Sequence, residues 1–134
     1  MNWIVAGLIG GLVAYVADYV MWGKVFTKGM ESYGTFENVE ARMPGMIAKS
    51  AVLALLWGLL FAFLYRRFKD DLWVAPGLLA GMELATVLWA ATILFLAAGS
   101  AVWYDKTRRL LNAQLWAWLV RMNAAGAVIG VLQR

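Results

Sequence analysis

The sequence contains no cysteine and no histidine, and only 15% of its 134 residues are charged. Without cysteine, disulfides, thiolate nucleophiles and iron–sulfur ligation are excluded. Without histidine, the chain lacks the commonest acid–base catalyst and the usual zinc and haem ligands. We therefore expect a protein that is not an enzyme and that holds no metal and no cofactor.

Apolar residues are what the chain has in abundance, at 63% of the total with eight tryptophans. A membrane-spanning helix needs about 20 mainly apolar residues to cross a hydrocarbon core of ~30 Å. Four stretches qualify, at about 2–22, 44–65, 73–98 and 110–133. No stretch alternates polar with apolar residues as a barrel strand would. The predicted fold is an all-α, integral membrane four-helix bundle in a single domain, 1–134.

The basic residues lie mostly beside these stretches, which indicates membrane orientation and not nucleic-acid binding as the source of the net charge of +4. The first and third connections carry six Lys and Arg residues against four on the opposite side. This weak bias favours a cytoplasmic position for those connections, and it also permits dual topology. We expect a multi-pass protein of the cell membrane, most simply a bacterial inner membrane. The long connection 23–43 suits either a segment on the membrane surface or an irregular loop.

Each apolar stretch contains one ionisable residue: Asp18, Lys49, Glu83 or Arg121. Charged side chains are costly inside a bilayer and usually face the bundle interior in pairs. Counting residues from the predicted ends places Glu83 and Arg121 near the midplane, and Asp18 and Lys49 nearer one surface. We therefore expect Glu83 to pair with Arg121. For Lys49 there are two alternatives. It either pairs with Asp18, or it extends its ammonium to the lipid headgroups, because it lies on a stripe of bulky apolar residues.

The fourth stretch has a second polar face, opposite Arg121. Its residues are Asn112, Trp116, Asn123, Gly126 and Gly130. A helix that is polar on two sides indicates an extra contact, with a second copy or with another membrane protein. The alternative is that the asparagines bond carbonyl groups within one chain.

Glycine motifs and tryptophans are the remaining patterns. The strings GLIGGL (7–12) and GLLAGM (77–82) occupy matching places in the first and third stretches, as a duplicated helical hairpin would produce. Four tryptophans near predicted helix ends are typical of interfacial anchors: Trp3, Trp22, Trp73 and Trp103. The deeper ones suit core packing or a flat pigment, quinone or lipid, and they are Trp57, Trp89, Trp116 and Trp118.

The opening MNW, the string MWGKVFTKGM and the closing LLNAQLWAWLVRMNAAGAVIG resemble a family of small four-helix bacterial membrane proteins of unknown function. The resemblance covers the two ends of the chain. It implies a four-helix membrane fold and supplies no activity and no functional residues. Small multidrug-resistance transporters are similar in length, but Asp18 lies too far along the first stretch and Lys49 and Arg121 do not fit their pattern.

Together these features predict an accessory or assembly subunit that binds its partner through the fourth helix. The alternative is a small proton- or cation-coupled transporter that uses Glu83, because intramembrane carboxylates often serve that role.

Overall fold

A computed structural model describes residues 2–21, 39–103 and 108–134, with the backbone alone for 39–43 and 46. All regular structure in these ranges is helical: α1 (Trp3–Val20), α2 (Val39–Phe68), α3 (Leu78–Trp89), a π-helical segment (Ala90–Leu94), α4 (Phe95–Trp103) and α5 (Arg108–Leu132). Four helices are long and apolar enough to cross a membrane, namely Trp3–Val20, Ile47–Phe68, Leu78–Trp103 and Arg108–Leu132. The predicted all-α fold with four such helices is confirmed. Trp22 and most of the connection 23–43 lie outside the described residues.

Close contact between glycines joins α1 and α2. A Cβ on Gly7 would lie 2.8 Å from the Leu59 Cα, and a Cβ on Gly58 would collide with the backbone of Gly7 and Gly11. Only glycine lets the two backbones come this near. The two helices run antiparallel, and Trp3 of α1 meets Phe63 of α2 edge to face at 5.9 Å.

The third span begins five residues later than predicted, at Leu78 instead of residue 73. Pro76 lacks a backbone N–H, and Gly77 precedes the helix with a φ of +150°, a conformation that disfavours residues with a Cβ. Tyr65 holds this point from α2, because its hydroxyl accepts a hydrogen bond from the Gly77 N–H at 2.9 Å. The predicted start of the third span was wrong because Pro76 and Gly77 delay the helix to Leu78.

The second half of the third span differs from the first. The Ala90–Leu94 segment is π-helical, and within it the Thr92 hydroxyl donates to the Leu88 carbonyl at 2.6 Å. After it, α4 has Ala97 as its one buried residue, whereas α3 has five in its twelve residues. The span thus packs firmly at its beginning and is largely exposed at its end.

The helices pack in the order α2, α1, α5, α3, with extensive contacts between each neighbouring pair. α2 and α3 meet mainly through side chains in the core, where Phe61 and Tyr65 lie in one cluster with Leu84 and Trp89. α1 and α5 therefore each lie between two other helices. The start of α1, the end of α2, the start of α3 and the end of α5 come together, and we call this end of the bundle the α2–α3 end.

Candidate functional site

Helix register brings Asp18 and Arg121 to the same level in the bundle. Gly10 of α1 lies against Ile129 of α5, where a Cβ on the glycine would meet the isoleucine side chain. Because α1 and α5 are antiparallel, moving eight residues forward on α1 and eight backward on α5 arrives at Asp18 and Arg121. The small residues Ala14 and Ala125, both fully buried, let the helices approach between these points.

The two side chains form an ion pair, with Arg121 Nη1 3.4 Å from Asp18 Oδ1. This distance exceeds that of a direct charge-assisted hydrogen bond, about 2.7–2.9 Å. The Arg121 side chain is 11% exposed and that of Asp18 is 32% exposed, so the pair opens to the surface on the carboxylate side. The Arg121 Nε is buried and has no hydrogen-bond partner.

Trp118 supplies the second contact of the guanidinium. Its ring centroid lies 4.2 Å from the Arg121 Cζ, a cation–π geometry. The two residues are three positions apart on α5, so they occupy the same face of the helix. The sequence analysis treated Trp118 as a core or cofactor residue, and the (i, i+3) spacing to Arg121 was the signal for its role.

Glu83 does not pair with Arg121, so that prediction was wrong. Its carboxylate accepts hydrogen bonds from two backbone N–H groups of the α2–α3 connection, from Trp73 at 2.9 Å and from Val74 at 3.0 Å. Because α3 begins at Leu78, Glu83 lies only one to two helical turns from the α2–α3 end, and not at mid-span.

Lys49 lies at about the level of Asp18 but does not meet it. Lys49 is exposed on α2, whereas Asp18 pairs with Arg121. Of the two interpretations of Lys49, the one in which it extends away from the bundle agrees with this placement.

The second polar face of α5 packs mainly against α3. Gly126 and Gly130 lie directly against the backbone of Gly81 and Gly77. The Asn123 Oδ1 accepts from the Thr86 hydroxyl at 3.2 Å, and its Nδ2 donates to the carbonyl of Leu119, one turn earlier, at 2.9 Å. The face expected to meet a partner is therefore largely used within the chain, as the alternative interpretation holds.

The other two residues of that face lie nearer the start of α5, beside the end of α3. Asn112 accepts a hydrogen bond from the Trp116 Nε1 at 3.2 Å, and Trp116 is 46% exposed. The Trp116 ring lies 6.2 Å from that of Trp89, whose Nε1 donates to the Leu115 carbonyl at 2.9 Å. Of the deeper tryptophans, Trp57 stacks on Phe61 at 5.2 Å. Each deeper tryptophan thus has a partner within the chain.

The described residues bring together one cation, one carboxylate and one indole ring. This set can hold two charges in a fixed orientation or bind a small ion at the exposed side of Asp18. Comparison of the chain with family models, curated proteins and solved structures gives no match.

Proposed function

We propose that the chain is an integral, multi-pass membrane protein of the cell membrane, without enzymatic activity, that serves as an accessory or assembly subunit. Its outer surface supports the membrane placement. Large apolar side chains on the first three spans are more than half exposed, among them Leu12, Leu53, Leu60, Phe95 and Leu96. The fourth span exposes Trp116, Val120 and Val131 to a smaller extent. Such a surface is stable in lipid and prone to aggregate in water. The four helices satisfy their backbone groups internally, as a bilayer requires.

In this environment the Asp18–Arg121 pair has a structural purpose. A single charge within a bilayer costs between about 3 and more than 10 kcal/mol, and pairing reduces that cost. The pair joins α1 to α5 at one level, so it fixes which helices are neighbours and their register. We infer that the pair specifies the arrangement of the bundle, whereas glycine contacts provide its close packing.

The observation that carries the assembly role is an open small-residue surface on α4, Ala98 to Ala101, with the sequence AGSA. Helices in membranes associate through small residues that let backbones approach. Within the spans, a neighbouring helix occupies the space beside each glycine of α1, α2, α3 and α5. Gly99 differs, because no described atom lies within 4 Å of the position of its Cβ. We propose that a helix of another chain occupies this surface.

This proposal moves the partner surface from α5 to α4. The glycines of α5 already contact α3, so they are not available to a partner. The exposed Trp116 and Asn112 at the other edge of α5 can extend the same contact region.

Cysteine crosslinking tests this proposal, since the chain has no native cysteine. Gly99→Cys in native membranes should give a discrete crosslinked species, a dimer or an adduct with one other membrane protein, under mild oxidation. Leu53→Cys is the matched control, because Leu53 is 67% exposed on the opposite side of the packing order, on α2. Equal crosslinking of both variants, or none with Gly99→Cys, would overturn the proposal.

A second variant separates assembly from folding. Gly99→Leu adds a side chain where the described chain leaves open space, so the single chain should fold normally. It should lose its crosslinking partner or its oligomer on size exclusion in mild detergent. An unchanged complex would count against α4 as the contact surface.

A small transporter that uses Glu83 has weaker support from this geometry. The carboxylate is held by two backbone N–H groups at the α2–α3 end, where it stabilises a connection. If reconstituted vesicles show a pH-dependent solute flux that Glu83→Gln abolishes, the transporter is the better description.

A further inference from the structure

A cavity of about 410 Å³ lies at the α2–α3 end. Its volume is within the range of small-ligand sites, about 300–1,000 Å³. Three elements contribute to the wall: the start of α1, the end of α2 with the residue that follows it, and the end of α5. The lining residues are Asn2, Trp3, Ile4, Arg66, Lys69 and Gln133.

The cavity is positively charged. Arg66 and Lys69 line it, and no acidic residue is among the lining residues. The Lys69 ammonium donates to the Gln133 carbonyl at 3.1 Å, which uses one of its three N–H groups. Arg66 is exposed, and its guanidinium has no ion-pair or hydrogen-bond partner among the described residues. Two cations therefore retain donors that a ligand can use.

The walls are held in place by contacts within the protein. The Gln133 amide donates to the Ala62 carbonyl at 3.1 Å, which fixes the end of α5 against α2. The Asn2 side chain caps α1 by accepting from the Ile4 N–H at 2.9 Å. The partial positive charge at the start of α1 is offset by the partial negative charges at the ends of α2 and α5, so the preference for an anion comes from Arg66 and Lys69. The site is thus preorganised and favours an anion.

We propose that this cavity binds the phosphate group of an anionic phospholipid headgroup. The proposal rests on the membrane placement argued above. The cavity lies where three of the spanning helices begin or end, which is the level of the headgroups in a bilayer of matching thickness. Basic pockets between spanning helices at this level suit anionic headgroups. Trp3 and Ile4 form an apolar wall beside the cations, and this wall suits the glycerol and upper acyl region of a lipid better than free phosphate.

Native mass spectrometry of the delipidated protein in detergent tests the site. Phosphatidylglycerol should bind more tightly than phosphatidylcholine, whose choline cation the cavity repels. Arg66→Gln should weaken phosphatidylglycerol binding about fivefold, or ~1 kcal/mol, as expected for one basic residue near the surface. Lys69→Gln should have a similar effect, and its amide can still donate to the Gln133 carbonyl.

Arg67→Gln is the matched control, because Arg67 is also exposed and adjacent in sequence but does not line the cavity. Equal losses for Arg66→Gln and Arg67→Gln, or equal binding of the two lipids, would overturn the proposal. Millimolar inorganic phosphate should leave the lipid bound, and complete displacement would show a site for free phosphate instead of a lipid.

Membrane association is measured separately, by resistance to carbonate extraction. Loss of the protein from the membrane fraction would contradict the proposed membrane function itself. A protein that stays in the membrane but shows no preference for phosphatidylglycerol would contradict only the headgroup site.

Discussion

The two faces of α5 achieve contact with their neighbours by different means. Towards α3, glycines 126 and 130 lie directly on the backbone of Gly77 and Gly81, with a polar contact from Thr86 to Asn123. Towards α1, Ile129 fills the space above Gly10, and farther along Arg121 meets Asp18. The contact with α3 depends on the absence of side chains at glycines, whereas the contact with α1 depends on the side chains of Ile129 and Arg121.

This difference predicts different sensitivities to mutation. A glycine contact leaves no space for a side chain, because an added carbon meets backbone atoms that cannot rotate away. A long side chain such as arginine can adjust its torsions when its partner changes. The α3 face should therefore tolerate substitution less well than the α1 face.

The largest expected effect is that of Gly81→Leu on the α3 face. Even the Cβ would collide with the Gly126 carbonyl, so the helices must separate. We expect a loss of about 3 kcal/mol or more in unfolding free energy, measured by denaturant titration in detergent with tryptophan fluorescence. Gly99→Leu in the same span is the control and should change this free energy little. Equal effects would show that the glycine contact is not what holds α3 to α5.

The next largest effect should be that of Arg121→Gln on the α1 face. It leaves the Asp18 carboxylate without its cation and should cost about 2 kcal/mol, less than the ~3–5 kcal/mol of a fully buried pair. The carboxylate is 32% exposed, which limits the loss. The double variant with Asp18→Asn should recover most of the stability in the same titration. A double variant no more stable than the single one would contradict the pairing.

Glu83→Gln should have a smaller effect, on the start of α3 alone. A neutral amide can accept only one of the two backbone hydrogen bonds well, so we expect a loss of about 1 kcal/mol. Hydrogen exchange should rise locally at Trp73 and Val74, whose N–H groups the carboxylate holds. Increased exchange throughout α5 instead would place Glu83 in the central contact after all.

Asn123→Ala should have the smallest effect. The bond between Asn123 and Thr86 joins two neutral groups at 3.2 Å. Such bonds between membrane helices contribute on average about 0.6 kcal/mol. The matched variant Thr86→Val removes the same bond but leaves the bond from Asn123 to the Leu119 carbonyl, so it should cost no more, and the two effects should not add in a double-mutant cycle.

The sequence predicted the four apolar helices well, because length and apolar content alone decide whether a helix can span a bilayer. It also placed Asp18 and Arg121 on faces that meet other helices, whereas Glu83 contacts the α2–α3 connection. The pairing failed at Glu83, whose depth was counted from residue 73 although Pro76 and Gly77 delay the helix to Leu78. A more careful treatment of those two residues would have moved Glu83 towards the end of the span.

The packing order of the helices could not be predicted from the sequence. The sequence allows Arg121 to face α1 or α3, and the packing of Gly10 on Ile129 together with the ion pair to Asp18 shows that α1 is its neighbour. Likewise, the second polar face of α5 indicated an external partner because the sequence did not reveal that α5 lies between two helices. Small and polar residues mark contact surfaces without naming the helix that they contact.

The π-helical segment Ala90–Leu94 has a consequence for how the third span presents its surfaces. Each π turn holds more residues than an α turn, so positions after it are rotated about the helix axis relative to a regular continuation. After the segment, Ala97 is buried, whereas Ala98 and Gly99 are exposed. One local change in hydrogen bonding thus lets a single span pack its first half on α5 and expose small residues in its second half.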